Sequence, residues 1–250
     1  MVPSDGGWVA LFSGGKDSSW ALHRALEAGR DVRRLVVVRP PEGSHAYHAP
    51  ATSVARLAAE SIGIPTVDAG LPSADIEPPD LRPAGRSAAE GGGVREGALE
   101  PLEVALERLD DEFDGGLEGV VAGVVESEFQ ADRLRSMCEG LDCEFLAPLW
   151  RAEPLELATE MIDGGLEILI VEVSAPGFDE DWLGRRLDRA ALADLEALRR
   201  EHGTHLLGED GEFETVVTDG PHMTRSIVLE FEREWDGEWG RLRITDARLE

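Results

Sequence analysis

Short apolar runs alternate with helical segments through the first part of the chain. The runs at 8–12, 35–38 and 119–125 are short and nearly continuous, which is typical of buried parallel strands. The segment 17–28 carries its apolar residues on one helical face, and 130–139 also has a helical pattern. This alternation predicts an α/β fold with a parallel sheet and right-handed crossovers.

The pattern changes after Trp150, where the late apolar segments are candidates for antiparallel strands. We therefore predict a first domain of residues 1–148 and a smaller α+β domain of residues 149–250. The predicted elements of the second domain are helices at 154–162 and 190–202 and strands at 168–173, 227–231 and 242–244.

Residues 70–98 differ from both domains in composition. They are rich in proline, glycine, alanine and acidic residues and show no apolar period. We interpret them as a mobile surface loop or insertion. An ordered lid over an active site is the alternative hypothesis.

A glycine-rich segment joins the first strand to the first helix: Ser13-Gly14-Gly15-Lys16-Asp17-Ser18. Glycines allow close backbone approach, and the free amides at a helix N-terminus attract phosphate. The two serine hydroxyls can donate hydrogen bonds, and Lys16 supplies a full positive charge. Asp17 is a candidate helix cap or Mg²⁺ ligand.

This loop is not a Walker A motif, because Ala10 stands where that motif needs glycine and Asp17 follows the lysine. It matches the PP-loop of ATP pyrophosphatases, which cleave ATP to AMP. Pyrophosphate gains charge as it leaves, so Lys16 and Asp17 are the candidate catalytic residues. A tight glycine turn before a helix is the structural alternative.

The charge of the chain is strongly negative, with 51 acidic and 24 basic residues and a net charge of −27. We interpret this as adaptation to high salt, which screens repulsion between surface carboxylates. It also argues against broad nucleic-acid binding, which requires a basic surface. Lys16 is the only lysine, so it is hard to interpret as a generic surface charge.

Other features narrow the class of protein without defining it. Cys138 and Cys143 lack C-x-x-C spacing and a second pair, so ordinary buried or partly buried thiols are predicted. The absence of a membrane-length apolar stretch or a secretory signal predicts a cytoplasmic protein. The sequence leaves the oligomeric state open, a homo-oligomer included.

Five further segments resemble motifs of the diphthine–ammonia ligases: Tyr47-His48-Ala49-Pro50, Ser127-Glu128-Phe129-Gln130 with Arg133, Ala147-Pro148-Leu149-Trp150, Trp182-Leu183-Gly184-Arg185, and Gly208 to Thr215. This resemblance implies a HUP-type doubly wound parallel sheet, the fold of PP-loop ATPases, followed by a smaller α+β substrate domain. It also implies a set of substrate or nucleotide contacts: His48, Ser127, Gln130, Arg133, Trp150, Glu209, Glu212 and Glu214.

Each of these residues also has a structural interpretation. Gln130 and Arg133 could lie on a solvated helical turn, and Trp150 could be a core anchor. The three glutamates could be ordinary surface acids; in the functional interpretation they orient the trimethylammonium group of diphthine. The chain departs from the family pattern at four positions, which leaves open a paralogue with another substrate: Ala51, Phe129, Asp210 and Phe213.

The resemblance implies an ATP- and Mg²⁺-dependent ligase acting on translation elongation factor 2. The enzyme would adenylate the diphthine carboxylate and then aminate it with ammonium, releasing AMP and pyrophosphate. Two alternatives are a PP-loop ligase or thiolase that modifies tRNA and a regulatory protein that binds adenine nucleotide without turnover.

Overall fold

The computed structural model describes residues 6–39, 49–70 and 100–250. The candidate residue His48 and nearly all of the predicted insertion at 70–98 lie outside the described residues. Six α-helices form within them: α1 (Lys16–Glu27), α2 (Ala49–Ile62), α3 (Glu100–Glu112), α4 (Glu128–Gly140), α5 (Pro154–Asp163) and α6 (Arg189–His202). The described strands are β1 (Gly7–Leu11), β2 (Val32–Arg39), β3 (Thr66–Gly70), β4 (Leu117–Val121), β5 (Glu144–Leu146), β6 (Glu167–Val173), β7 (Phe213–Asp219), β8 (Ile227–Trp235) and β9 (Gly240–Leu249).

The first sheet has five parallel strands in the order β3-β2-β1-β4-β5. The predicted α/β fold with a doubly wound parallel sheet is therefore confirmed. The strand order reverses between β1 and β4, so the connections that leave these two strands diverge. Ligands of such sheets bind at the carboxyl ends of the strands flanking this point. The segment Ser13–Ser18 follows β1 there, and residues 122–127 follow β4.

The second sheet is antiparallel, with strands in the order β7-β6-β9-β8. It confirms the smaller α+β unit predicted for the C-terminal part. Strand β7 was not among the predicted strands, because the segment before it is polar and glycine-rich. The predicted strand at 119–125 is too long, since β4 ends at Val121. Val124 and Val125 nevertheless stay buried, which is why apolar character alone could not locate the strand end.

One apolar core lies across both sheets. Ala10 of β1, Leu22 of α1, Ile170 of β6 and Val217 of β7 belong to the same buried cluster. A second cluster covers the other face of the parallel sheet, where β1 contributes Val9. The division of the chain near residue 149 stays a prediction, and the first core extends across it.

The two cysteines lie where the sequence analysis expected buried or partly buried thiols. Cys138 is buried in the second cluster and Cys143 is half-buried, with neither in a disulfide. The predicted structural role of both thiols is consistent with these positions. Among the helices in the described ranges, none combines the length and apolar character needed to cross a bilayer.

A core shared by both sheets predicts a single cooperative unfolding transition. Ile170→Ala should lower the free energy of unfolding by about 2–5 kcal/mol, because it leaves a cavity, and Ile170→Val by about 0.5–1.5 kcal/mol. Denaturant titrations followed by circular dichroism and by tryptophan fluorescence should give coincident midpoints for each variant. Two separated transitions would show that the sheets unfold independently.

Candidate active site

The loop after β1 forms a turn lined by backbone amides at the start of α1. Gly14 has φ of +80°, a conformation that favours glycine. Gly15 is the N-cap of α1 and has no side chain to cap the helix. The Ser13 and Ser18 hydroxyl oxygens lie 3.0 Å apart, and the Ser13 Oγ accepts a hydrogen bond from the Gly15 amide at 3.3 Å. An uncapped helix N-terminus of this kind suits an anionic ligand.

The segment after β4 lies directly against this helix start. A Cβ on Gly123 would come within 2.6 Å of the Asp17 carbonyl carbon and 2.7 Å of the Ser18 nitrogen. Both groups belong to the backbone, so neither can move aside without displacing the first turn of α1. Glycine at position 123 therefore allows the carboxyl ends of β1 and β4 to converge.

Lys16 is the buried charge of the site, with 4% of its surface exposed. Its Nζ donates hydrogen bonds to Asp17 Oδ2 at 2.8 Å and to the backbone carbonyl of Leu207. The same nitrogen lies 5.5 Å from the centroid of the Phe213 ring. A buried ammonium must be paired, and one of its partners here comes from the C-terminal part of the chain.

Strand β7 also contacts the loop through its backbone and one side chain. The Thr215 Oγ1 accepts a hydrogen bond from the Lys16 amide at 3.3 Å. The Val217 amide donates to the Gly14 carbonyl at 2.8 Å. Sequence reasoning had missed Thr215 as a site residue, although it ends the Gly208–Thr215 segment that carried the family resemblance.

Two side chains, Glu212 and His205, hold the turn before β7. The two carboxylate oxygens of Glu212 accept hydrogen bonds from the His205 amide at 2.7 Å and the Asp210 amide at 3.1 Å. The His205 Nδ1 accepts from the Leu207 amide at 3.2 Å and the Glu209 amide at 3.4 Å. Glu212 thus stabilises the turn, and its predicted contact with substrate stays a prediction.

Two glutamates with raised pKa values lie beside the Lys16–Asp17 pair. Burial raises the pKa of Glu209 to about 7; the Asp17 carboxylate adds to this rise and the Lys16 ammonium opposes it. Burial also raises the pKa of Glu214, against the effect of Lys16. Both side chains remain accessible to solvent, so they line an open cleft and are not part of the core.

Glu172 is a third glutamate with a raised pKa and was not predicted from the sequence. It lies opposite Glu214 in the β6–β7 pairing. Burial raises the pKa of Glu172 to about 7, and a hydrogen bond from the Trp239 indole, at 3.2 Å, opposes that rise. The antiparallel sheet thus adds a carboxylate and an indole to one side of the cleft.

Of the other predicted residues, two lie at the carboxyl end of β4 and two make structural contacts elsewhere. Ser127 is the N-cap of α4 and accepts a hydrogen bond from the Gln130 amide at 3.4 Å, at the carboxyl end of β4. Arg133, one turn later, forms an ion pair with Glu103 at 3.6 Å. Trp150 packs against the second apolar cluster. The structure therefore brings Lys16, Asp17, Glu209 and Glu214 together but gives Arg133 and Trp150 structural contacts.

Three of the four departures from the family pattern can be placed in the structure. Phe213 is buried, where a ring without a hydroxyl needs no hydrogen-bond partner. Phe129 is exposed to 51% at the start of α4. Asp210 is not among the described residues with positive φ, whereas the following Gly211 has φ of +82°. Aspartate at position 210 therefore does not occupy a backbone conformation that favours glycine.

Asp17 is the residue best placed to help hold a divalent cation. Its Oδ1 is buried without a hydrogen-bond partner, while Oδ2 accepts from Lys16. Groups of three metal-binding side chains are absent from the described ranges. Mg²⁺ commonly binds one or two carboxylates together with phosphate oxygens, so a single protein carboxylate fits a cation delivered with a nucleotide.

The sheet order and the loop at its switch point define a Rossmann-like α/β protein with a phosphate-binding loop. The chain belongs to the diphthine–ammonia ligase (diphthamide synthase) family. Residues 7–75 match the model of the diphthamide synthase N-terminal domain, and residues 153–249 match that of the C-terminal domain. These two matches include β1 with its phosphate loop and the whole antiparallel sheet.

Curated relatives from several eukaryotes support this membership. The diphthine–ammonia ligase of Danio rerio is 30% identical over 234 residues, which cover 89% of this chain and 86% of that protein. That of Rattus norvegicus is 31% identical and is matched over 82% of its length, with 89% of this chain covered. The Saccharomyces cerevisiae enzyme is 25% identical over 97% of this chain but only 36% of its own length.

The contact at Gly123 predicts a specific defect at the loop. Gly123→Ala should weaken ATP binding and lower the free energy of unfolding by about 1–3 kcal/mol, because its methyl group would overlap the backbone of α1. Isothermal titration calorimetry and thermal unfolding would measure the two effects. Gly140→Ala, where a Cβ meets no atom within 4 Å, is the matched control. Equal ATP affinity in the two variants would contradict the assignment of residues 13–18 as the ATP-binding loop.

Proposed function

We propose that this protein is an ATP-dependent carbon–nitrogen ligase that converts diphthine on translation elongation factor 2 to diphthamide. Family membership and the names of the curated relatives support this substrate. The observation that carries the proposal is the loop at residues 13–18, which places the chain's sole lysine at a helix N-terminus whose N-cap residue, Gly15, has no capping side chain. That arrangement suits the outer phosphates of ATP.

The first step is adenylation of the diphthine carboxylate. A carboxylate oxygen attacks the α-phosphorus of ATP, and the bond to the bridging oxygen breaks so that pyrophosphate leaves with the electron pair. Backbone amides of the loop and the Lys16 ammonium are placed to stabilise this growing negative charge. A bound Mg²⁺ supplies further charge neutralisation, and Asp17 is the residue proposed to hold it.

The second step is amide formation. Ammonia attacks the acyl carbon, the carbon–oxygen bond to AMP breaks, and the nitrogen loses a proton to become the amide. Glu209 and Glu214 lie beside Lys16 and Asp17, close enough to share their electrostatic field. Their carboxylates are proposed to attract the trimethylammonium group of diphthine, which is attached near the reacting carboxylate. The indole of Trp239 contributes an aromatic surface nearby.

The carboxyl end of β4 is proposed to complete the substrate site. Ser127 and Gln130 begin α4 there, and Glu126 faces the turn before β7 through a 3.5 Å contact with His205. His48, Arg133, Trp150 and Glu212 stay proposed contacts, Arg133 requiring release from Glu103. The net charge of −27 favours a protein substrate over tRNA. We further propose action in the cytoplasm at high salt.

Substitution of Lys16 should strongly slow nucleotide cleavage. Lys16→Met keeps the length of the buried side chain but removes its charge, so the rate of AMP formation should fall about 10²–10³-fold. The assay combines ATP, Mg²⁺, ammonium and diphthine-bearing elongation factor 2 and separates AMP from ADP by chromatography. Arg189→Met, at an exposed ion pair with Asp163, is the control.

The products and their dependence on substrate separate the alternatives. AMP that forms only with both elongation factor and ammonium supports the ligase. ADP as product, or normal turnover by Lys16→Met, would contradict the site. Stimulation by tRNA would indicate the tRNA-modifying enzyme, and nucleotide binding without turnover would indicate the regulatory protein.

The raised pKa of Glu209 predicts a pH dependence. With a pKa of about 7, this carboxyl is neutral below pH 7 and gains its charge as pH rises. If the charge attracts the substrate cation, kcat/KM for the elongation factor should rise through about pH 7 in the wild type. Glu209→Gln should lack this rise, while Glu201→Gln, exposed at the end of α6, should keep it. Identical profiles would remove Glu209 from the substrate site.

A further inference from the structure

The phosphate loop contacts the segment after β4 and also the antiparallel sheet. Among the described contacts of the loop, Lys16 and Gly14 each bond to β7 or the turn before it. The partners are 191 and 199 residues away from Lys16 along the chain. These contacts are therefore a product of the whole fold and not of the local motif.

Thr215 fixes the backbone of the loop. It is buried, and its hydroxyl oxygen accepts the hydrogen bond from the Lys16 amide at 3.3 Å. Two residues later the Val217 amide binds the Gly14 carbonyl at 2.8 Å. Together these bonds set where the first turn of α1 lies relative to β7.

His205 fixes the ammonium group of the same lysine. An ammonium has three N–H donors, and Asp17 and the Leu207 carbonyl each accept one of them. One donor then remains for a phosphate oxygen. The Leu207 carbonyl belongs to the Leu207–Gly208 peptide, and His205 Nδ1 holds the amides on either side of that peptide, those of Leu207 at 3.2 Å and Glu209 at 3.4 Å.

The bonding of His205 also defines its tautomer. Because Nδ1 accepts hydrogen bonds from the Leu207 and Glu209 amides, it carries a lone pair and no proton. The hydrogen of the neutral ring then lies on Nε2, which faces Glu126 Oε2 at 3.5 Å. The imidazole thus connects the turn before β7 to the segment that follows β4.

We propose that Thr215 and His205 are positioning residues that aim the loop amides and the Lys16 ammonium at the leaving pyrophosphate. This inference rests on the proposed function. Neither residue touches the reacting atoms; each acts through Lys16. Misalignment of a preorganised donor reduces the stabilisation of the transition state more than that of the ground state. Loss of either contact should therefore lower kcat more than it raises the KM for ATP.

Strand β7 offers a matched pair of threonines for the first test. Thr215→Val should lower the kcat of AMP formation about tenfold, since the Lys16 amide loses its acceptor. Thr215→Ser keeps the hydroxyl and should restore the rate to within about twofold. Thr218→Val removes a comparable hydroxyl bond, to the Glu167 carbonyl at 3.3 Å, without contact to the loop and should retain the wild-type rate.

The role of His205 can be tested by substitution with asparagine and with glutamine, whose side-chain amides take the positions of different ring nitrogens. His205→Asn places an oxygen near the position of Nδ1 and should retain most of the activity. His205→Gln places its amide near Nε2 and should lower kcat about fivefold or more. Equal melting temperatures of the two variants would show that the difference is not a difference in folding.

The results distinguish failure of this inference from failure of the proposed function. If the wild type forms AMP but Thr215→Val equals Thr218→Val, or His205→Gln equals His205→Asn, the positioning roles are wrong. If the wild type forms no AMP, the proposed function fails. Binding of α,β-methylene-ATP then still tests the loop contact: Thr215→Val should weaken it about threefold relative to Thr218→Val, and equal affinities would overturn the inference.

Discussion

The ammonium of Lys16 is the charge around which the site is built. A buried cation is stable only with partners of opposite polarity, and its partners are the neighbouring carboxylate of Asp17 and a carbonyl from the C-terminal part of the chain. Satisfying this one group requires the turn before β7 to lie against the loop after β1. The position of the antiparallel sheet is therefore tied to the position of a single nitrogen atom.

Several carboxylates near this site also determine its net charge. Glu172, Glu209 and Glu214 all have raised pKa values, with burial as the largest cause. One ammonium does not compensate several acids, so the cleft itself carries an excess of negative charge. Cations that accompany the substrates, whether a metal with the nucleotide or a quaternary amine, would relieve it. The same excess would disfavour free phosphate unless a cation arrives with it.

Local patterns were sufficient to predict the parallel sheet, the helices and the loop, because each is encoded within about 10 to 20 consecutive residues. They were insufficient wherever burial came from distant segments. Val124 and Val125 look like a strand, yet they are buried after β4 has ended. Strand β7 was missed because the segment before it is polar and glycine-rich. The roles of Thr215 and His205 could not be read from local pattern, since they depend on a lysine nearly 200 residues earlier.

The shared apolar core also limits how the molecule can open. Many two-layer enzymes admit substrate by swinging rigid halves about a hinge. Here such a rotation would divide one buried apolar cluster, to which Ile170 and Val217 belong together with Ala10 and Leu22, and would expose its apolar surface to water. The shared core therefore favours admission of the substrate while the two sheets remain packed against each other.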